Sequence, residues 1–145
     1  NALAAFALLR LAIIFGEKRY EQLAEKTLAA AAPMMQRAPA GFLTFILASD
    51  LYVHGATEIT LAGDSRHPTM TAFRRIIGEQ FIPNRLIMYA GEEERKQTLP
   101  VIEGREAMKG LPTAWVCRNR VCFAPAATPE ELVEKFETPA SVQAD

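Results

Sequence analysis

The chain of 145 residues holds only two cysteines, too few for a disulfide scaffold. It also lacks an excess of either charge: sixteen Lys and Arg oppose seventeen Asp and Glu, a net charge of −1. That balance excludes the global basic field with which proteins hold nucleic acid or anionic lipid, and no block of like charges supplies a local one. Long hydrophobic runs are missing too. The most apolar stretch, Ala2–Phe15, is interrupted by Arg10 and falls short of the about 20 residues that span a bilayer. No basic residues precede it as they would in a signal peptide. The motifs G-x-x-x-x-G-K-[ST], G-x-G-x-x-G, G-x-S-x-G and H-E-x-x-H are all absent. No nucleic-acid partner, no membrane, no metal and no cofactor is therefore expected. Two lone cysteines and five methionines suit a reducing cytoplasm.

What is present is an ordinary globular balance, 50% apolar and 23% charged, in a chain long enough to bury a core. The first 55 residues read as helices. Ala2–Phe15 carries good helix formers, and Gly16 suits a C-cap. Residues 17–32 set Tyr20, Leu23, Ala24, Thr27 and Leu28 at helical spacing, with Glu21, Gln22, Glu25 and Lys26 opposite. Pro33 is expected to end or kink that helix. A break at Arg37-Ala38-Pro39-Ala40-Gly41 precedes a third helix over 42–52, closed by Gly55. The first and third helices are apolar almost all round, which calls for partners on several sides. Ala4, Ala5, Ala7 and Ala12 are small enough to be tolerated near a surface. The better reading makes these helices part of a larger array whose remainder lies upstream, and a chain beginning at Asn1 rather than Met fits it.

At Thr57 the pattern changes. Glu58-Ile59-Thr60-Leu61-Ala62 predicts a short strand ended by Gly63-Asp64. Residues 68–81 predict an amphipathic helix with Met70, Phe73, Ile76 and Ile77 on one face, and Arg85-Leu86-Ile87-Met88-Tyr89-Ala90 a second strand. Together they form a βαβ unit with parallel strands. Residues 92–109 are polar and poorly periodic. Residues 113–117 and 121–124 flank Arg118-Asn119-Arg120 as a hairpin. Thr128-Pro129-Glu130-Glu131 starts a last helix with a capping box, Thr128 as N-cap and Glu131 at N3, and 140–145 is read as a loose tail. The expected fold class is α+β / α/β: helices over residues 1–55, then a small β-α-β-β-β-α domain over 56–145. That order is the one of a minimal thioredoxin-like fold. Gly110-Leu111-Pro112-Thr113 resembles the Gly-x-Pro-Thr of thioredoxins, whose proline is cis; the alternative is a turn proline before an edge strand.

Two constellations carry chemistry. A two-residue turn at Asn119-Arg120 places Cys117 opposite Cys122, with Cβ atoms about 4.5–5.5 Å apart; since Arg does not suit the second position of a type I′ turn, the alternative is a three- or four-residue loop that puts the two sulfurs on different registers. A disulfide wants roughly 3.5–4.5 Å. The pair is a candidate thiol pair or disulfide, or two cysteines on a half-buried strand; a zinc site would need further ligands. The thiols are expected to be adjacent but reduced in the cytosol. The loop Asp64-Ser65-Arg66-His67 lies at a strand's carboxyl end and a helix N-terminus, where an anion or other ligand can bind; the alternative is a capping loop in which Asp64 or Ser65 satisfies helix amides. His54 suits a helix C-terminus, Trp115 a core, and Arg74, Arg75 and Arg85 a solvated face.

The first two helices, Glu58-Ile59-Thr60-Leu61-Ala62-Gly63-Asp64, Phe81-Ile82-Pro83-Asn84-Arg85, and Gly110 through Cys117 to Cys122 and Pro125 together resemble the C-terminal end of the spermatogenesis-associated protein 20 family, whose bacterial members are thioredoxin-domain proteins. The resemblance covers nearly the whole chain. It implies that residues 1–55 end an (α/α)6 toroid similar to those of six-hairpin glycosidases and glucosamine epimerases, and that 56–145 form a small thioredoxin-like domain. Cys117 and Cys122 match the family's recurrent cysteine pair, while Pro33 departs from its pattern. The family's activity is not established, so no catalytic residue is carried over. Two functions follow. In the first, the piece is an accessory or interaction module without its own dithiol, partnered by upstream domains of its parent or by a second copy through its apolar helices. In the second, it lends one wall to a sugar-processing toroid enzyme. The lack of clustered acids and bases in residues 1–54 favours the first.

Overall fold

A computed structural model describes residues 1–91, 99–118 and 121–137. The chain divides into two compact units, Asn1–Gly55 and Ala56–Asp145. The fold class is mixed α+β, with five α-helices and a four-stranded sheet among the described residues.

The first unit packs α1 (Ala2–Phe15), α2 (Lys18–Arg37) and α3 (Leu43–His54) on one another, with a 3-10 turn at Pro39–Phe42 before α3. Gly16 and Gly55 follow α1 and α3 with φ of 68° and 72°, a region where a Cβ is penalised. Helix α2 runs through Pro33 to Arg37 and is not ended there. Pro33 and Ala29, whose carbonyl loses its donor, are both exposed residues. The buried contacts come from small or slender residues: Ala5 and Leu9 of α1, Ala24, Leu28 and Ala31 of α2, Ala48 and Leu51 of α3. Large apolar side chains remain outside. Leu3 is 72%, Leu43 65%, Leu47 59% and Val53 70% exposed.

The second unit is built on β1 (Thr57–Ala62), α4 (Pro68–Glu79), β2 (Arg85–Ala90), β3 (Thr113–Arg118), β4 (Val121–Cys122) and α5 (Pro129–Glu137). The sheet order is β2-β1-β3-β4. β1 and β2 are parallel, and β3 runs antiparallel to both β1 and β4. One face carries Ile59 and Leu61 of β1 and Ala114 and Val116 of β3. It packs with Met70, Phe73, Ile76 and Ile77 of α4, Leu132 of α5 and Phe123 in a buried core. The α5 start is the capping box read from sequence: Glu131 N–H donates to Thr128 Oγ1 at 3.3 Å, and Glu131 Oε2 accepts from the Thr128 and Ala127 amides at 3.3 and 2.7 Å.

The Leu111–Pro112 peptide is trans, so the cis proline expected from Gly-Leu-Pro-Thr is corrected. The chain reverses one step earlier. Met108 and Leu111 pair across Lys109 and Gly110, whose φ values are 53° and 74°. Positive φ at both central residues makes a tight hairpin turn that leads Pro112 straight into β3.

Candidate functional site

The sheet face opposite the core carries a different row of side chains. The register sets Leu86, Glu58, Cys117 and Cys122 side by side across all four strands. The segment 99–108 covers this face: Val101 and Ile102 are buried, and the Val101 carbonyl accepts from Thr60 Oγ1 at 2.8 Å. Trp115 donates its indole N–H to the Glu106 carbonyl at 3.0 Å. This segment drops Arg105 over the row. Its guanidinium donates to the Val101 carbonyl, lies 3.6 Å from the Glu58 carboxylate, and reaches Cys117 Sγ at 3.3 Å and Cys122 Sγ at 3.7 Å. The side chains of Arg105 and Glu58 are only 14% and 15% exposed, so this charge pair is largely removed from water.

Cys117 and Cys122 are joined in a disulfide with Cα atoms 3.9 Å apart. The expectation of two reduced thiols is therefore replaced by a bond. Phe123 N–H donates to the Val116 carbonyl at 2.9 Å, which makes the next pair, Cys117 and Cys122, a non-hydrogen-bonded one. Such pairs lie closer than the average across a ladder, which brings the two sulfurs into range. The two ends differ in access: Cys117 is 1% exposed, whereas Cys122 is on the surface. The connecting turn at Asn119 and Arg120 lies outside the described residues.

The second candidate, Asp64-Ser65-Arg66-His67, is organised around its own backbone. His67 is the N-cap of α4, its Nδ1 accepting from the Thr69 amide at 3.2 Å; the cap is thus neither Asp64 nor Ser65. Asp64 Oδ1 accepts from the Arg66 amide at 2.9 Å and stands 3.8 Å from the Arg66 guanidinium. Both side chains are well exposed. Gly63 precedes the loop with φ 117°, and its Cα faces the backbone of Pro112 so closely that a Cβ would stand 3.0 Å from Pro112 Cα. Loop and proline are brought together because Ala62 pairs with Thr113.

Arg74, Arg75 and Arg85 are exposed, as a solvated face requires; Arg74 also stacks on Tyr89 and donates to its hydroxyl at 3.0 Å, and Arg85 donates to the Ile77 carbonyl at 2.9 Å near the end of α4. Arg118 donates to the Lys135 and Phe136 carbonyls at 3.2 and 3.4 Å, holding the last turn of α5. Tyr52, on α3, has its phenol pushed above the usual range, first by a hydrogen bond to the Glu25 carboxylate of α2. His54 pairs with Asp50 at 2.8 Å. Among the described residues no group of three or more His, Cys, Asp or Glu is placed to hold a metal ion, and no helix is long and apolar enough to cross a membrane. Arg105 escaped the sequence reading, because nothing in the polar stretch around it marks one arginine as the partner of a distant strand.

An uncharacterized protein of Caenorhabditis elegans, B0495.5, is 23% identical over 136 residues, which cover 94% of this chain and 19% of that protein. The chain thus spans about a fifth of the length of the relative it matches. No family model matches, and no solved structure matches.

Proposed function

We propose that the chain is a segment of a longer protein, an accessory module in which residues 1–55 end a helical toroid and a thioredoxin-like unit follows. The observation that carries this reading is the apolar outer surface of α1 and α3, where Leu3, Leu43, Leu47 and Val53 are 72%, 65%, 59% and 70% exposed. Helices of this kind are stable when other helices cover them. The occupants are neighbouring helices of the same polypeptide, since the matched relative carries roughly four fifths of its length outside the aligned part. The sheet order β2-β1-β3-β4, with β3 antiparallel to its neighbours, supports the thioredoxin-like reading of the second unit. Its β1–α4 loop holds no cysteine, so the dithiol of that fold is absent from this position. The membership suggested by the resemblance to the spermatogenesis-associated protein 20 family belongs to the same proposal, as does a cytoplasmic location.

Leu47→Glu tests the reading in two contexts. In this chain alone the charge sits in water, and solubility is expected to rise with little loss of stability. In the parent protein the same charge is buried against a neighbouring helix without a partner, a change that costs several kcal/mol. Equal tolerance in both contexts, measured by urea unfolding, refutes the covered-helix reading.

A further inference from the structure

We propose that Cys117–Cys122 is a thiol–disulfide exchange site, in which Cys122 is the sulfur attacked and Cys117 leaves as a thiolate held by Arg105. Access and electrostatics both point this way. Cys122 is an exposed residue and Cys117 is 1% exposed, so the Cys122 end of the bond is the one nearer to solvent, with the Arg105 guanidinium 3.7 Å from its sulfur. The other end is where charge must develop, and there the Arg105 guanidinium stands 3.3 Å from Cys117 Sγ. Exchange is faster when the leaving sulfur is a stabilised thiolate. A cation beside a thiol favours its ionised form. Glu58 is the counterweight. It faces Cys117 across the ladder and competes for the same guanidinium at 3.6 Å. In a reducing cytoplasm a disulfide of this kind is transient, formed and broken in exchange with other thiols.

The step balances as follows. A low-mass monothiol loses its proton and attacks Cys122 Sγ. The Cys117–Cys122 bond breaks, a mixed disulfide forms at Cys122, and the electron pair of the broken bond stays on Cys117 as a thiolate. A second molecule of the monothiol, also deprotonated, attacks the small-molecule sulfur of the mixed disulfide. This releases the oxidised dimer of the monothiol and leaves Cys122 reduced. Two electrons pass from two small thiols to the protein pair, and the two protons the small thiols gave up are available to Cys117 and Cys122. The reverse sequence reoxidises the pair with a small-molecule disulfide as the oxidant. This places the site on the β3–β4 hairpin and not in the β1–α4 loop, where a thioredoxin keeps its dithiol.

The test uses the full chain, glutathione as the probe, and rapid alkylation followed by peptide mapping. The expected products are glutathione on Cys122 and the alkyl group on Cys117. Adducts on Cys117, an even split, or a bond that glutathione does not open overturn the proposal. Reduction rates at one pH then separate electrostatics from structure. Arg105→Gln removes the cation and is expected to slow reduction roughly threefold to tenfold, and Glu58→Gln frees the guanidinium and is expected to speed it. Both variants break the same ion pair, so a merely structural role moves both rates in one direction, and that result also overturns the proposal. If Arg105→Gln does not fold, Glu58→Gln decides alone: a faster rate, with higher thiolate absorbance at 240 nm in the reduced form, supports the assignment, and an unchanged or slower rate refutes it.

Discussion

Replacing Gly63 by alanine puts the junction of β1 and β3 under a direct load. Gly63 holds φ 117°, outside the regions open to residues with a Cβ. A side chain held in such a conformation costs on the order of 1–3 kcal/mol. The added methyl would also stand 3.0 Å from Pro112 Cα and 3.5 Å from Ala107 Cβ, and the first of these is backbone that cannot swing aside. Overpacking of that kind costs typically about 1–3 kcal/mol. The sum, roughly 2–6 kcal/mol, is a large part of the stability of a small domain, about 5–15 kcal/mol. Gly78→Ala is the matched control. Gly78 lies near the end of α4 with open space where its Cβ would go, so the same substitution is expected to stabilise by about 0.5–1 kcal/mol. Urea unfolding followed by the fluorescence of Trp115, the single tryptophan, reports on this unit directly. Midpoints that shift in opposite directions, with unchanged slopes, are expected. A Gly63→Ala midpoint at or above the wild-type value would refute the argument from close approach.

Other consequences can be checked in the same way. Glu131→Ala strips one side of the capping box and leaves the Thr128 and Ala127 amides without their acceptor, lowering stability by about 1 kcal/mol in the same Trp115 assay. Phe73→Ala empties a fully buried position of the second unit's core and is expected to cost about 3–5 kcal/mol, read as a lower melting temperature. The Tyr52 phenol is raised in the folded chain, so its contribution to stability is complete below the unfolded-state pKa of about 10 and fades as pH climbs through the higher folded value. Ultraviolet titration should show Tyr52 ionising above its usual range, and Glu25→Gln should bring it back down.

Local patterns carried much of the fold. The strand, helix and strand of β1, α4 and β2 follow from alternation and helical spacing of apolar residues, because burial of one face is a local demand on the chain. Thr128 and Glu131 specified the start of α5 for the same reason, since both partners of the cap lie within one turn. A two-residue turn would pair Cys117 with Cys122, and the observed register is the one that pairs them. Other features depend on residues far apart in sequence. Pro112 is trans and the chain turns at Lys109 and Gly110, and no local motif announces which of two neighbouring positions makes the turn. Helix α2 continues through Pro33, which lies on its exposed side, and which side a helix exposes is a fact of packing. Arg105 meets Glu58 and both sulfurs only after β1, β3 and β4 have formed and the segment 99–108 has folded over them. The sequence by itself determined where strands and helices begin, because that depends on neighbours in the chain. The tertiary structure alone decided which cation lies over the disulfide and which of its two cysteines is exposed, because those depend on distant segments sharing one face of the sheet.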